Sequence, residues 1–347
     1  MTVDRAGLLR RLGAAAAAGA AGGLLGGTEA LAGTREDGGG SFPGHPRWKF
    51  VFLSHLTTSP WFVPVQYGIQ DACDLVRCSY RWTGSARGDL SEVLDAFESA
   101  ASEQAGGIAI AISDPRELDA PISRALDAGI PVVAFHLDAP LGSGNRRLAF
   151  VGQNPYAAGR RIGARLARLV AGGEVVLLAA EPDGPGVRRR LDGVVAALER
   201  SGAPLLPRVV TTSLKPFEAA AVIGELVSGK PPRALLALDP SSTEGLSEVI
   251  KKRGQGEPRV RGGAYGVLPA TLKLIRDGHL DFTVDEQPYV QGFLPVLQLF
   301  LLKISGGLVA PSDVETRVRF VTRANVERYL ARTRYEGSSS RHRYPIG

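Results

Sequence analysis

The segment from Gly129 to Leu166 constrains the fold more than any other part of the chain. It holds two apolar runs, Pro131–Phe135 and Leu148–Val151, each of which is typical of a buried strand and ends in a polar turn. The second turn leads directly into a helical pattern that opens at Pro155. In an open parallel α/β sheet, ligands bind just beyond the carboxyl ends of the strands. The sequence therefore predicts two candidate ligand loops in this segment.

Alternating strand and helix patterns continue on both sides of this segment. The other predicted strands are Trp48–Leu53, Arg77–Trp82, Gly107–Ile112, Glu174–Ala179, Pro207–Thr212, Ala234–Leu238 and Val260–Tyr265. The predicted helices are Val63–Leu75, Leu90–Gln104, Leu118–Ala128, Tyr156–Val170, Val187–Arg200, Pro216–Val227, Ser242–Lys252 and Pro269–Asp277. Continuous apolar strands indicate parallel sheets covered on both faces. Because the units are too many for one compact sheet, two successive series predict two lobes.

The N-terminus has the pattern of an export signal, which we place at residues 1–32. Arg10-Arg11 precede an apolar, glycine-rich run from Leu12 to Leu25, and Ala30-Leu31-Ala32 supplies a small–x–small cleavage pattern. The paired arginines favour the twin-arginine route. An uncleaved anchor is the alternative, although the run is short and poor in strongly apolar residues. Residues 33–47 are then a flexible leader, and we expect a periplasmic or extracellular protein without stable membrane insertion of the mature chain.

Charge and cysteine content exclude some functions. The formal net charge of +6 is modest, and no basic stripe interleaved with aromatic residues occurs, so nucleic-acid binding is disfavoured. Residues 331–347 form a basic tail. Cys73 and Cys78 could form a disulfide in an oxidising compartment or could be two small buried side chains. Two cysteines without a suitably placed histidine do not indicate a metal site, and we expect no cofactor.

Four motifs in the right order carry a resemblance to a known family. They are Ser59-Pro60-Trp61-Phe62 followed by Gly68, the pair GIPVVAFHLDAP and VGQNPYAAGRRIGARL, Leu238-Asp239-Pro240-Ser241-Ser242, and TVDEQPYVQGFLPV at Thr283–Val296. The tail pattern VTRANVERY also fits. Together these segments resemble a type I periplasmic binding protein, in particular the sugar-binding proteins of ABC transporters, the group that includes ribose-binding protein. The likeness covers about residues 48–330.

The resemblance implies an α/β fold of two doubly wound parallel-sheet lobes joined by a three-strand hinge. The N-terminal lobe would comprise residues 48–152 and 287–312, and the C-terminal lobe residues 153–286 and 313–330. The hinge would lie at Gln153, at Glu286-Gln287 and near Pro311. Hinge closure would then trap a ligand between the lobes.

Aromatic residues of the first motif are the first candidates for ligand contact. A sugar offers flat apolar faces and a rim of hydroxyls, so its site needs aromatic rings and planar hydrogen-bonding groups. The resemblance places stacking aromatics at Trp61 and Phe62, with Phe62 favoured, although both could instead pack in the core. Ser59 stands where the family usually has Asn.

Acidic and imidazole side chains follow the next predicted strands. Asp114 lies in a Ser-Asp-Pro turn, where capping is the stronger interpretation. His136 occupies a position at which the family normally has Asp, and Asp138 keeps a second acidic position. A carboxylate accepts from two adjacent hydroxyls, whereas neutral His offers one donor and one acceptor. The ligand is therefore expected to differ from an ordinary hexose or pentose.

The second lobe supplies the remaining candidates. The resemblance implies a ligand-binding arginine in the turn DGPGVRRR, and we favour Arg188 over Arg190. Asp239 matches a family Asn or Asp, with helix capping as the alternative. Gly266 stands where most relatives have a ligand-binding Asp. Either Glu286 or its neighbour Gln287 matches the hinge Gln of the family.

No catalytic motif accompanies this site. The sequence contains no G-x-S-x-G elbow, no Walker A loop and no H-E-x-x-H. We therefore expect a monomeric extracytoplasmic solute-binding protein, not an enzyme, that captures a sugar or polyol and delivers it to an ABC permease. The alternative is a ligand-sensing periplasmic protein that serves a membrane receptor or sensor kinase.

Overall fold

The computed structural model describes residues 42–229, 231–253 and 261–330. The predicted export signal and basic tail lie outside the described residues, as does the first part of the predicted leader. Within the described ranges, no helix combines the length and apolarity that crossing a membrane requires.

Two six-stranded sheets, one in each lobe, form the framework. The first contains β1 (Lys49–Ser54), β2 (Ser79–Gly84), β3 (Gly107–Ile110), β4 (Val132–Phe135), β5 (Phe150–Gly152) and β11 (Val314–Glu315). The second contains β6 (Gly173–Ala179), β7 (Leu205–Thr211), β8 (Ala234–Ala237), β9 (Arg261–Tyr265), β10 (Phe282–Asp285) and β12 (Arg319–Val321). Their strand orders, β11-β5-β4-β3-β1-β2 and β12-β10-β9-β8-β6-β7, are equivalent. Every pairing is parallel except β10 with β12.

Helices cover both faces of each sheet, which confirms the predicted fold class. They are α1 (Val63–Leu75), α2 (Leu90–Ser102), α3 (Asp119–Asp127), α4 (Pro155–Ala167), α5 (Pro185–Glu199), α6 (Pro216–Ser228), α7 (Pro240–Arg253), α8 (Pro269–Arg276), α9 (Pro288–Ile304) and α10 (Glu327–Leu330). Helix α4 shows why they begin where they do. The Asn154 side chain caps it by accepting from the backbone N–H of Ala157 at 3.0 Å, and Pro155 occupies the first turn.

The side chains of β1 pack into the first-lobe core on both faces of the sheet. Phe50 and Phe52 of β1 pack on the side of α1 and α9. Val51 and Leu53 point to the other face, toward α2 and α3. This alternation follows from the two-residue period of a strand, and it explains why the sequence of β1 is apolar throughout.

Helices α4 and α5 cross at glycines in the second lobe. A Cβ added at Gly159 would lie 2.0 Å from the carbonyl oxygen of Arg190, and one added at Gly193 would lie 2.2 Å from that of Tyr156. The absence of side chains at Gly159 and Gly193 therefore lets the two backbones touch. This contact fixes the first turns of α5, where the candidate arginines lie.

Three crossovers join the lobes, at Gln153-Asn154, at Glu286-Gln287 and between β11 and β12. The third comes later than the predicted position near Pro311, because Val314–Glu315 pairs with β5 in the first sheet. Asp313 holds this strand there by accepting from the backbone N–H of Phe150 at 2.9 Å. Residues 313–315 thus belong with the first sheet, whereas the sequence assigns them to the C-terminal lobe.

The end of the predicted flexible leader packs on the first lobe. The rings of Phe42 and Phe300 lie 4.9 Å apart, and His45 stacks on Trp48 at 5.0 Å. Residues 42–47 are therefore held by aromatic contacts that a composition-based interpretation does not detect. Cys73 and Cys78 are both buried and unbonded in this structure, and burial raises the pKa of Cys78 to about 11.

Candidate functional site

We use the term cleft for the region where the carboxyl ends of both sheets face each other and residues of the two lobes make contact. The loops after β1 and β4 border it on the first lobe, and the first turns of α5 and the loops after β8 and β9 border it on the second. The lobes approach closely, because a Cβ added at Gly186 would lie 3.6 Å from the Leu137 side chain. Such a cleft at the strand ends is the expected place for a ligand in this class of fold.

Aromatic rings form the wall on the first lobe. Trp61 and Phe62 are almost fully buried, with ring centroids 4.8 Å apart. Trp61 lies 4.1 Å from the ring of His136 and donates its indole N–H to Oε2 of Glu286 at 2.8 Å. Phe62 reaches the same histidine at 5.2 Å but also packs on Trp82 and belongs to the core cluster. The structure thus brings both predicted aromatics to the cleft, with Trp61 bonded to the hinge.

Two histidines stack beside this wall. The rings of His55 and His136 are 5.7 Å apart and nearly parallel, at 8°. Burial lowers the pKa of His55 to about 4. Burial also places the pKa of His136 well below its usual value, and the neighbouring His55 and Arg190 lower it further. Both imidazoles are therefore uncharged at neutral pH.

Arg190, from the third position of the triple arginine, faces the cleft from the second lobe. Its guanidinium carbon lies 3.7 Å from the centroid of the Tyr265 ring, and Nη1 donates to the carbonyl oxygen of Leu238 at 2.6 Å. Its buried Nε has no hydrogen-bond partner among the described residues. The sequence favours Arg188 instead, but that side chain is 60% exposed and pairs with Asp183 at 3.0 Å.

The first two crossovers place planar side chains at the bottom of the cleft. Gln153 accepts from the Tyr265 hydroxyl at 2.8 Å, while its buried Nε2 finds no partner in the described part of the chain. Burial raises the pKa of Glu286, and Arg190, the Tyr265 hydroxyl and the Trp61 indole act in the opposite direction. Gln287 points elsewhere, since its side chain donates to the carbonyl oxygen of Arg317 at 3.0 Å.

The predicted acidic residues mostly hold local structure. Asp138 receives two hydrogen bonds of 2.5 Å from Arg147, which also contacts Asp313. Asp114 accepts from the backbone N–H of Arg116 at 2.9 Å, as the capping alternative predicts. These two carboxylates are therefore occupied by partners within the first lobe.

Asp239 follows β8 and uses both carboxylate oxygens for local hydrogen bonds, while Ser59 lies in the loop after β1. Asp239 caps α7, since one carboxylate oxygen accepts from the Ser242 N–H and the other from the Ser242 hydroxyl and the Ala180 N–H. Ser59 precedes the short turn that carries Trp61 and makes no side-chain cap.

The backbone conformation at position 266 explains in part why a glycine stands there instead of the Asp of most relatives. Its φ is +92°, a conformation that L side chains rarely adopt, and a Cβ there would meet nothing within 4 Å. The position is therefore spacious but unfavourable for Asp.

Sequence reasoning missed His55 and Tyr265 and ranked Arg190 second. His55 follows β1 just as His136 follows β4, and only the strand order, with β3 alone between those strands, reveals that they meet. Within the described ranges, no group of three or more metal-ligating side chains occurs.

Comparisons with known proteins agree on one type of molecule. A family model described as a periplasmic binding protein domain matches residues 50–305. The xylose/arabinose-binding protein of Sulfolobus acidocaldarius is 39% identical over 316 residues, which cover 88% of this chain and 78% of that protein.

Solved structures share the fold at lower identity. A sugar-binding protein of a sugar ABC transporter from Bacillus halodurans superposes with a TM-score of 0.72 at 24% identity, covering 81% of this chain and 99% of that one. An ABC transporter solute-binding protein from Burkholderia graminis, in complex with D-arabinose, gives a TM-score of 0.72 at 21% identity, covering 80% and 96%.

Proposed function

The chain belongs to the sugar-binding subfamily of type I periplasmic binding proteins, and from this premise we propose that it captures a neutral pentose in the cleft between its lobes. The observation that carries the proposal is a set of buried polar atoms around stacked rings that have no hydrogen-bond partner among the described residues. These atoms are Nδ1 of His55, Nε of Arg190 and Nε2 of Gln153. Buried polar groups are normally hydrogen-bonded, so a ligand that carries hydroxyls fits this arrangement.

The shape and charge of the cleft support the same class of ligand. Trp61 and His136 present ring surface, which suits the apolar face of a sugar. The cleft carries the cationic Arg190 and the carboxyl of Glu286, whose charges oppose each other. A neutral ligand enters such a site without leaving an uncompensated buried charge.

The size of the proposed ligand is inferred from a relative of this chain. The Sulfolobus acidocaldarius protein, to which this chain is 39% identical, is named for xylose and arabinose. We therefore infer a pentose of that type for this chain, with hexoses as weaker ligands.

Hinge closure is the proposed trapping step. Trp61 lies on the first lobe and bonds the Glu286 carboxylate at the second crossover. Closure would bring Arg190 over a sugar resting against that ring, and the excluded water would strengthen each hydrogen bond.

Isothermal titration calorimetry on residues 33–347 tests the binding proposal. The panel contains D-xylose, L-arabinose, D-ribose, D-glucose, xylitol and a set of amino acids. We expect at least one pentose to bind with a Kd of roughly micromolar order or tighter, which corresponds to about −8 kcal/mol. Binding of amino acids without any response to sugars would overturn the assignment.

We further propose that the protein is exported and hands its ligand to an ABC permease. The paired arginines Arg10-Arg11 support export. Replacing both by lysine should retain the full-length precursor in the cytoplasm, as cell fractionation and immunoblotting would detect. Deleting the gene should abolish uptake of the labelled pentose; normal uptake with a lost transcriptional response would support the sensing alternative.

A further inference from the structure

We propose that Tyr265 is a positioning residue that couples Arg190 to the first crossover between the lobes and so sets how tightly the cleft holds its ligand. This inference rests on the proposed function and deepens it. Tyr265 acts on the ligand through Arg190, because its ring carries the guanidinium and its hydroxyl is bonded to Gln153. No sequence motif indicates this role.

The fold gives the Tyr265 ring a fixed place. Tyr265 is the last residue of β9, an inner strand of the second sheet, and its side chain is almost fully buried. The hydroxyl of Thr243 on α7 donates to the carbonyl oxygen of Tyr265 at 2.9 Å and accepts from its backbone N–H at 3.2 Å. Both polar groups of this backbone are therefore satisfied from one helix. A buried ring on a strand end that is tied in this way has little room to move.

Arg190 lies on the face of this ring. Its guanidinium carbon is 3.7 Å from the ring centroid, well inside the range of about 6 Å in which a cation is attracted to an aromatic face. Nη1 is fixed at the same time by the carbonyl oxygen of Leu238 at 2.6 Å. These two contacts set the direction of the buried Nε, which has no hydrogen-bond partner among the described residues. The position of the Tyr265 ring thus decides where Arg190 presents that N–H.

The hydroxyl of Tyr265 connects the same ring to the crossovers. It donates to Oε1 of Gln153 in the first crossover at 2.8 Å. It also faces Glu286 in the second crossover: burial raises the pKa of that carboxyl, while Arg190 and the Tyr265 hydroxyl lower it. A phenylalanine at this position would keep the ring under the arginine but would lose both connections.

Closure of the lobes gives this arrangement its consequence. The crossovers are the segments that bend when two lobes of this kind close. Tyr265 therefore joins a segment that bends to the arginine that the second lobe presents to the ligand. A binding group that is about 1 Å out of place loses much of its effect, so the residues that hold it contribute to affinity without touching the ligand.

Removing the hydroxyl alone tests the coupling. Tyr265→Phe should raise the Kd for the best-bound pentose about tenfold, which corresponds to about 1.4 kcal/mol. In an Arg190→Ala background the same change should alter the Kd less than about twofold, because the side chain through which Tyr265 acts is absent. Isothermal titration calorimetry and ligand-observed NMR, which reaches millimolar Kd values, measure the four proteins. An equal loss in both backgrounds would refute the coupling to Arg190.

Two further variants keep the result interpretable. Gln153→Leu removes the acceptor at the other end of the bond, so it should raise the Kd as Tyr265→Phe does, with no added loss in the double variant. Additive losses would contradict a shared bond. Tyr289→Phe is the matched control, since its hydroxyl also makes a bond of 2.8 Å, but within the first lobe, to Asp71 on α1. It should leave the Kd within about twofold of the wild-type value.

The outcomes separate this inference from the proposed function. If the wild type binds no sugar, the proposed function itself fails. If the wild type binds a pentose and folded Tyr265→Phe binds it equally well, the positioning role is overturned although the protein is a sugar binder. Circular dichroism and the melting temperature show whether each variant is folded, and Gln153→Leu decides the question if Tyr265→Phe unfolds.

Discussion

The two lobes share one strand order, yet they contribute different kinds of side chain to the cleft. The residue after β4 is His136 with φ +62°, and the residue after the equivalent β9 is Gly266 with φ +92°. The same left-handed turn therefore carries a packed ring in the first lobe and no side chain in the second. The first lobe contributes stacked rings, while the second contributes Arg190 from a helix. The comparison teaches that the fold fixes where ligand loops lie but not which lobe supplies their chemistry.

The hinge residues that follow equivalent strands of the two lobes resemble each other more closely than the residues after β4 and β9 do. Gln153 follows β5 and Glu286 follows the equivalent β10, and both are planar, polar and about 5% exposed. The Tyr265 hydroxyl donates to the first, and the Trp61 indole donates to the second. The crossover residues of the two lobes are thus alike, whereas the residues that follow β4 and β9 differ.

The largest expected effect comes from removing Arg190, the side chain that the second lobe contributes to the cleft. Arg190→Ala should raise the Kd for the bound pentose at least 100-fold, because hydrogen bonds to charged groups contribute about 1.5–3 kcal/mol each. Arg188→Ala, on the same helix but paired with Asp183 in solvent, should change the Kd less than twofold. Calorimetry on both variants measures this, and equal effects would refute the assignment of Arg190.

The next largest expected effect concerns the hydrogen bond from Trp61 of the first lobe to Glu286 at the hinge. Trp61→Phe keeps a ring but removes the donor to a buried carboxylate, and it should lower the free energy of unfolding by about 2–3 kcal/mol. In a Glu286→Gln background the same change should cost less than about 1 kcal/mol, because the remaining group is uncharged. Urea denaturation of the four proteins gives both values, and identical costs would show that the bond contributes nothing.

Acid should weaken the first lobe through its histidines. Burial lowers the pKa of His55 from its ordinary value of 6.5 to about 4 in the folded protein, so below pH 6.5 the unfolded chain binds a proton that the folded protein excludes. Its contribution is fully present above pH 6.5 and is lost as the pH falls toward 4. At about 1.4 kcal/mol per pKa unit, His55 accounts for roughly 2 kcal/mol of destabilisation at pH 5.

A matched pair of variants isolates this contribution from that of the buried carboxyls, which have raised pKa values. The stability lost between pH 7.5 and 5 should be smaller by that amount in His55→Phe than in His279→Phe. Denaturant titrations at the two pH values provide the measurement, and equal losses in the two variants would contradict the prediction.

The smallest expected effect sharpens the comparison of the two turns. Gly266→Ala places a side chain at φ +92° and should destabilise by about 1 kcal/mol, although nothing lies within 4 Å of the new Cβ. Gly224→Ala, in the middle of α6 and equally uncrowded, should stabilise by roughly 0.5–1 kcal/mol. Melting temperatures should therefore shift in opposite directions, and a shift of the same sign would mean that backbone strain at Gly266 is absent.

Local patterns predict the elements well and the site only in part. The helix at 63–75 occurs with the predicted bounds, and the following strand begins at Ser79 instead of Arg77 because that arginine ends the helix with φ +51°. Arg188 and Arg190 cannot be ranked from spacing, since the first turn of a helix points successive side chains in different directions. His55 and His136 are 81 positions apart, so only the strand order brings them together.

Trp61 also gives the protein an optical property. Indole emission responds to charges and contacts at the ring, and this ring touches His136 while its N–H meets the Glu286 carboxyl. Trp82 lies in the core and Trp48 beneath the leader, so replacing both by Phe leaves one emitter in the cleft. A sugar that binds against the Trp61 ring should shift the indole emission spectrum. The chain would then act as a reagentless fluorescent sensor of its own ligand.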